Sequence, residues 1–304
     1  MIMAFPKIFT LGQDYISDIF KGEVEITEKI DGSQMVFGKI DGELHIRSKG
    51  AIIYKENPQK MFKKGVDYIL SIEDKLPNNV VYYCEYLDNP KHNTLKYNRV
   101  PLNHLILFGI EYFKENKFIS DYINLVNYSY TIETVPLLYR GEVKDITEIH
   151  KLLDTESVLG GTKIEGFVVK NYNQPFLLGG QPIPLMAGKY VSEKFKETHK
   201  DSWSKENTGK GKWELFKEGF RTEARWLKSI QHLKESGELE NSPRDIGKLI
   251  KAIQQDITEE EKENIKNFLW REFGQETLRH SMRGFPEWYK EYLLKQSLNN
   301  QENV

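Results

Sequence analysis

The hydrophobic period of this chain changes once, near Phe195, and that switch constrains the fold more than any single residue does. Before it, apolar residues come in short runs at strand spacing. Val24 to Glu28, Gln34 to Ile40, Glu43 to Ser48, Val80 to Leu87, His104 to Ile110 and Lys163 to Lys170 each read as a strand. After it, Leu215, Phe216, Phe220, Trp226, Leu227, Ile230 and Leu233 recur at helical spacing. Strands followed by helices predict an α+β protein with two segregated parts. The expected organisation is a sheet domain over residues 1–196, a linker over 197–212 and a smaller all-α domain over 213–304. The linker is polar, with Gly209 and Gly211 and the lysines Lys194, Lys196, Lys200, Lys205, Lys210 and Lys212 in and around it.

Local signals refine this reading. Asp41-Gly42 between two strands suits a tight hairpin, because both residues can take positive φ. Asn57-Pro58 predicts a helix start, with Asn as cap and Pro in the first turn, running to about Lys75. His104 to Ile110 is apolar on both faces and so is expected in the middle of a sheet. Ser242-Pro243 opens a later helix, Thr258 to Glu261 has the form of a capping box, Gly284 ends that helix and Pro286 starts the last.

Several residues stand out chemically. Lys29-Ile30-Asp31-Gly32 lies between two strands; alone, it reads as a solvated surface turn. On the next hairpin Arg47 shares a strand face with Glu43 and His45. Glu85 is a carboxylate in an apolar strand, and such a group must be paired, hydrogen-bonded or open to a cleft. Phe108 sits in the expected central strand. Glu165 precedes Gly166, where the missing side chain allows close approach to the backbone. Lys189 lies in the segment before the linker. Each has a bland explanation by itself. Their order does not.

The series Lys29-x-Asp31-Gly32, Arg47, Glu85, Phe108, Glu165-Gly166 and Lys189 resembles the successive motifs of the covalent nucleotidyltransferase superfamily of ATP-dependent ligases and capping enzymes. The resemblance covers roughly residues 20 to 196. Within the superfamily the chain looks most like the RNA ligase 2 type. The motifs begin near the first residue, leaving no room for a preceding domain. The segment Pro90 to Tyr97 is similar to one in such ligases. The last third is helical, where DNA ligases and capping enzymes place an all-β OB-fold. Two positions depart from the pattern. The fifth motif is usually Lys-x-Lys, whereas Val191 follows Lys189 here, with Lys194 three residues further. Ser33 and Gln34 stand where Thr-Asn is frequent.

The resemblance implies an antiparallel-sheet nucleotidyltransferase (ATP-grasp-like ligase) domain and a smaller all-α domain. It implies an ATP-dependent RNA ligase that joins 3′-OH and 5′-phosphate RNA ends through a lysyl-AMP intermediate. Lys29 would be the nucleophile, Lys189 would meet the α-phosphate, and Arg47 would meet phosphate or ribose and the RNA end. Glu85 would hold the ribose and Phe108 would stack on adenine. Glu28 would contact adenine through its backbone, and Ile30, Gln34 and Lys170 would complete the nucleotide site. Glu165 would be the carboxylate linked to Mg²⁺ (or Mn²⁺), since a hard cation prefers oxygen ligands. The same resemblance implies a monomeric, cytoplasmic enzyme, with a phage as one source the family suggests.

Composition narrows the alternatives. A formal net charge of −2 gives no overall attraction for nucleic acid, so RNA contact must come from local basic patches. A single cysteine, Cys84, excludes an intramolecular disulfide and a cysteine-based zinc site. No apolar stretch is long enough for a signal peptide at the start or a membrane span later. The competing readings are a DNA ligase, a guanylyl-transferring capping enzyme, and a non-catalytic RNA-binding relative.

Overall fold

A computed structural model describes all residues except 1, 121, 123–130, 175, 179–180, 192–211 and 302–304. It divides into two compact units, Met1–Ile253 and Gln254–Val304.

The first unit is α+β, built on two mainly antiparallel sheets. One sheet contains β1 (Phe9–Thr10), β2 (Glu23–Lys29), β9 (Leu137–Glu142), β10 (Gly166–Asn171) and β13 (Met186–Val191), in the order β1-β13-β10-β2-β9. The other contains β3 (Ser33–Ile40), β4 (Glu43–Ser48), β5 (Val80–Tyr86), β6 (Leu105–Tyr112) and β7 (Lys117–Phe118), in the order β4-β3-β5-β6-β7, with β8 (Glu133–Thr134) also pairing with β6. A short hairpin, β11 (Phe176–Leu178) and β12 (Gln181–Ile183), stands apart. Among the described strand pairs, only β1–β13 and β6–β8 are parallel.

Strand alternation gives each sheet two apolar faces. Val24, Ile26, Phe167, Val169 and Met186 form a cluster on one face of the β2 sheet. Met35, Phe37, Ile46, Tyr82, Cys84 and Leu107 form another on one face of the β3 sheet, covered by Val66 and Ile69 of α1 (Lys63–Ser71). The remaining faces meet in a third cluster, which joins Val36, Val81 and Tyr83 of one sheet to Val168 and Ala187 of the other. The two sheets therefore pack face to face, and residues on those inner faces are the ones that can share a cleft.

The Asp41-Gly42 hairpin forms as expected, with φ of 48° and 90°. β6 is paired along both edges, as its two apolar faces predicted. The helix expected from Asn57 starts later, with a 3-10 turn at Lys60–Phe62 before α1. The Asn57 N–H instead closes a turn onto the Tyr54 carbonyl at 3.2 Å. The strand expected from Lys163 begins at Gly166, since Lys163 makes only an isolated bridge to Glu156.

A short helix α2 (Ile146–Ile149) packs on the β2 sheet, where Ile149 joins the cluster. The helix expected from Trp213 to Ser236 breaks into α3 (Lys212–Glu218) and α4 (Glu223–Glu235). Thr222 caps α4, accepting from the Arg225 N–H, which restarts the helix after Gly219. Ser242 and Asp245 form a capping box ahead of α5 (Ile246–Leu269). Thr258 lies within α5 and caps nothing: its hydroxyl donates to the Gln254 carbonyl at 2.8 Å. The second unit continues through a π-helical turn, Trp270–Gly274, then α6 (Gln275–Ser281) and α7 (Phe285–Gln301), which starts after Gly284 at φ 84°. The expected linker lies outside the described residues except for Lys212, which opens α3; Lys194, Lys196, Lys200, Lys205 and Lys210 lie outside them as well. No helix among the described residues is long and apolar enough to cross a membrane.

Candidate active site

Register determines which side chains meet on the inner face of the β2 sheet. Gly166 lies opposite Lys29, Val168 opposite Thr27, and Lys170 opposite Glu25. On the other edge of β10, Val168 lies opposite Lys189. Directly opposed residues point to the same face, so Lys29, Lys170 and Lys189 all face the neighbouring sheet.

Lys29 Nζ donates to Glu165 Oε2 at 2.6 Å. Its side chain is 27% exposed and that of Glu165 7%. The lysine is thus anchored yet reachable from solvent. Burial pulls the Lys29 ammonium down, but the carboxylates of Glu165, Asp31 and Glu85 outweigh it and hold it above its ordinary value. Burial pushes Glu165 up, against the opposing charges of Lys29 and Lys189. In the resting protein Lys29 is therefore a protonated amine in an ion pair.

Glu165 is aimed by the residue after it. A Cβ at Gly166 would collide with the Tyr190 carbonyl and sit 2.8 Å from the Val191 Cα, both backbone groups of β13. Gly166→Ala is expected to force β10 from β13 and destabilise the protein by about 1–3 kcal/mol, the usual scale of overpacking. A thermal melt unchanged from that of the parent protein would refute this.

The other flank of the lysine is held by Pro90 to Tyr97. The Asp31 carboxylate accepts from the Thr94 and Leu95 N–H groups, each at 2.8 Å, and from Asn93 Nδ2 at 3.2 Å. Asn93 Nδ2 also donates to the Gly32 carbonyl at 2.8 Å, and the Asp31 N–H donates to the Tyr97 hydroxyl at 2.9 Å. Gly32 runs so close to β5 that a Cβ there would lie 2.7 Å from Glu85 Cγ and 2.8 Å from the Tyr86 carbonyl. Ile30 is buried beside Leu87, Tyr97, Ile106 and the half-buried Phe108.

From the facing sheet, Gln34 and Glu85 lie directly opposite each other. Burial, and then the nearby carboxylates of Glu235, Glu165 and Asp31, push Glu85 up to about 8 despite the opposing pull of Lys29. Gln34 Oε1 accepts from the Phe5 N–H at 3.1 Å. Phe108 packs edge-on against Phe5, with ring centroids 5.0 Å apart. Lys170 is fully buried: its Nζ donates to the Phe108 carbonyl at 2.5 Å, and burial lowers it to about 7 against the charge of Glu25.

The structure thus brings Lys29, Glu85, Glu165 and, through its charge on Glu165, Lys189 into one cluster. Phe108 and Lys170 form a neighbouring pair. Two expected residues point elsewhere. Glu28 faces the opposite side of the sheet, where its carboxylate accepts from the Ser157 hydroxyl at 2.5 Å and the Val158 N–H at 3.1 Å. Arg47 donates to the carbonyls of Ile2, Ser48 and Lys49 at 3.0–3.2 Å. The sequence reading assigned no role to Asp31, Asn93 or Tyr97, although it singled out the segment that carries two of them. It had no signal for Gln231 and Glu235 of α4, which reach Ser33.

The residues suit a divalent cation that arrives with its own ligands. Asp31 is engaged by three N–H donors, and no group of three His, Cys, Asp or Glu among the described residues is arranged to hold an ion. Glu165 is the buried carboxylate beside the lysine, and Mg²⁺ commonly binds one or two carboxylates plus substrate phosphates.

Known proteins bear on this site as follows. The sequence model of the RNA ligase family matches residues 22–181, a range that includes Lys29, Arg47, Glu85, Phe108 and Glu165 but not Lys189. Among solved structures, Naegleria gruberi RNA ligase with PPi is 20% identical, with a TM-score of 0.48, over 66% of this chain and 58% of that one. A lysine-to-methionine variant of the same ligase with AMP and Mn is 19% identical, with a TM-score of 0.47, over 66% of this chain and 59% of that one. The chain thus spans less than two-thirds of the length of these ligases. No curated protein matches it. Because the family match takes in more than half of the 304 residues, the chain belongs to the RNA ligase family.

Proposed function

We propose that this protein is an ATP-dependent RNA ligase that joins 3′-OH and 5′-phosphate RNA ends through AMP carried covalently on Lys29. The observation that carries the proposal is the Lys29–Glu165 pair: a solvent-reachable lysine held at 2.6 Å from a buried carboxylate, with Lys189 facing the same cleft.

In the first step the Lys29 ammonium gives up its proton, and Glu165 is the group at hydrogen-bond distance to receive it. The neutral Nζ attacks the α-phosphorus of ATP; an N–P bond forms and the bond to pyrophosphate breaks. Lys189 meets the developing charge on the α-phosphate oxygens, where a fixed cation has most effect. Glu165 would hold Mg²⁺ or Mn²⁺, which supplies neutralisation of the triphosphate. In the second step an oxygen of the RNA 5′-phosphate attacks the AMP phosphorus, and Lys29 leaves and takes back a proton. In the third the 3′-OH attacks the activated 5′ end and AMP departs. Phe108 stacks on adenine, with Ile30 and Lys170 behind it. Glu85, uncharged near neutral pH, can both donate to and accept from a ribose hydroxyl. Glu28 serves through its backbone. Gln34 would complete the nucleotide site, and Arg47 would reach the phosphates and the RNA end by exchanging a carbonyl partner for phosphate oxygen.

The test is the intact mass after incubation with Mg²⁺ and either ATP or GTP, followed by peptide mapping. An AMP adduct mapped to Lys29, with sealing of RNA ends but not DNA ends, is expected. A GMP adduct would indicate capping chemistry, sealing of DNA ends a DNA ligase, and no adduct with either nucleotide a non-catalytic relative.

A further inference from the structure

Four residues after Lys29 the loop is gripped by a helix that begins nearly two hundred residues later. We propose that Gln231 and Glu235 of α4 are positioning residues for the Lys29 loop, so that nucleotide transfer to Lys29 depends on this helix. The proposal rests on the ligase reading above.

The grip uses all the hydrogen-bonding capacity of one hydroxyl. The Asp88 N–H donates to His92 Nδ1 at 3.0 Å, so that nitrogen carries a lone pair. In the neutral ring the proton is then on Nε2, which donates to Ser33 Oγ at 2.7 Å. Gln231 Nε2 donates to the same oxygen at 2.8 Å. The Ser33 hydroxyl in turn donates to Glu235 Oε1 at 2.5 Å. Two bonds accepted and one given is the full capacity of a serine hydroxyl. Gln231 spends its second N–H on Glu235 Oε1 at 2.6 Å and approaches the Gly32 carbonyl at 3.4 Å. Gln231 and Glu235 are one turn apart, so one face of α4 makes every contact.

Stability alone does not explain this arrangement. Ser33 is 1% exposed and Glu235 4%, and burying a carboxylate against neutral partners is costly. An apolar pair would join helix to loop with less loss. What the polar grip adds is a second hold at Gly32 and Ser33, beyond the pairing of Ser33 with Tyr86 of β5. His92, Asn93, Thr94 and Leu95 pin the loop through Ser33, Gly32 and Asp31. With α4 in place the chain from Lys29 to Ser33 is tied on both sides. A nucleophile gains from such fixing because transfer requires close, aligned approach.

The test compares single-turnover formation of the Lys29 adduct in the full chain and in Glu235→Ala, Gln231→Ala and Glu235→Gln, across ATP concentration. Glu235→Ala and Gln231→Ala should lower the maximal rate by about tenfold or more, with half-saturating ATP changed by less than about twofold. Glu235→Gln keeps an acceptor for the Ser33 hydroxyl and should restore most of the rate. Wild-type rates in both alanine variants would overturn the proposal; so would a Glu235→Gln rate as low as that of Glu235→Ala, which would assign the effect to charge. If the parent protein takes up no nucleotide, the ligase reading fails by itself, and amide exchange decides the grip. Faster exchange over residues 30–34 in Glu235→Ala, with β5 still protected, supports it; unchanged exchange refutes it.

Discussion

Lys29→Met is expected to take up no detectable nucleotide, a loss of at least about 10⁴-fold on the scale seen when a covalent nucleophile is removed. The same variant should also reveal how the site is balanced electrostatically. Lys29 is the cation that lowers both Glu165 and Glu85, whose folded-state values burial has raised. Without it, both carboxyls rise further above their unfolded values. A carboxyl raised by folding keeps its full stability only below its unfolded value, near 4.5, and loses stability as pH climbs through the folded one. Lys29→Met should therefore lose more stability relative to the parent protein at pH 8 than at pH 5. At the upper end the deficit is about 3 kcal/mol, the lower end of the range for breaking a buried ion pair, because Lys29 is partly open to solvent. A melting difference independent of pH, or a residual adduct that maps to another lysine, would contradict this account.

The second large effect concerns Glu165→Gln. Glu165 raises Lys29 both by its charge and by its hydrogen bond. With the charge removed, burial, which is the largest influence on Lys29, is opposed by less, and the ammonium falls. The pH at which adduct formation reaches half its maximum should move to lower pH than in the parent protein. The plateau rate should fall at the same time, by about 10²–10⁴, the usual contribution of a positioned proton acceptor. These two movements run in opposite directions at low pH, so a rate-against-pH profile separates them. An unshifted midpoint would show that the ion pair does not control the lysine. An unshifted plateau would show that Glu165 takes no part in the transfer.

Much of the site was legible in the sequence because the chemistry sits at regular strand positions. The order of the motifs singled out Lys29, Glu85 and Lys189 from the other charged residues, and strand register then turns Lys29 and Lys189 toward the neighbouring sheet. The Asp41-Gly42 hairpin was equally plain, since positive φ at two successive residues has a narrow sequence signature. The failures have a common physical cause. Local patterns propose caps and strands, and distant partners decide among them. Asn57 resembled a cap and closes a turn. Thr258 resembled a cap too, but a real box at Ser242 and Asp245 had already started that helix, so no free N–H remained there. The resemblance implied a phosphate or ribose contact for Arg47, but no local pattern showed the carbonyls its guanidinium meets, one of them 45 residues away. The α4 grip was invisible for the same reason, since Ser33 and Glu235 are separated by 202 residues. Gln and Glu one turn apart on a helix are ordinary surface residues until something packs on them.

The ion pair between Lys29 and Glu165 has a consequence for what else can modify this protein. Acyl phosphates, cyanate and aldehydes react with neutral amines. A lysine held above its ordinary value offers them less of that form than a free lysine does, and Lys29 shows them only part of its side chain, whereas that of Lys21 is 66% exposed. Lys29 is thus harder for stray electrophiles to reach than Lys21. An amine-selective label at Lys29 would therefore report its pairing with Glu165 as well as its exposure.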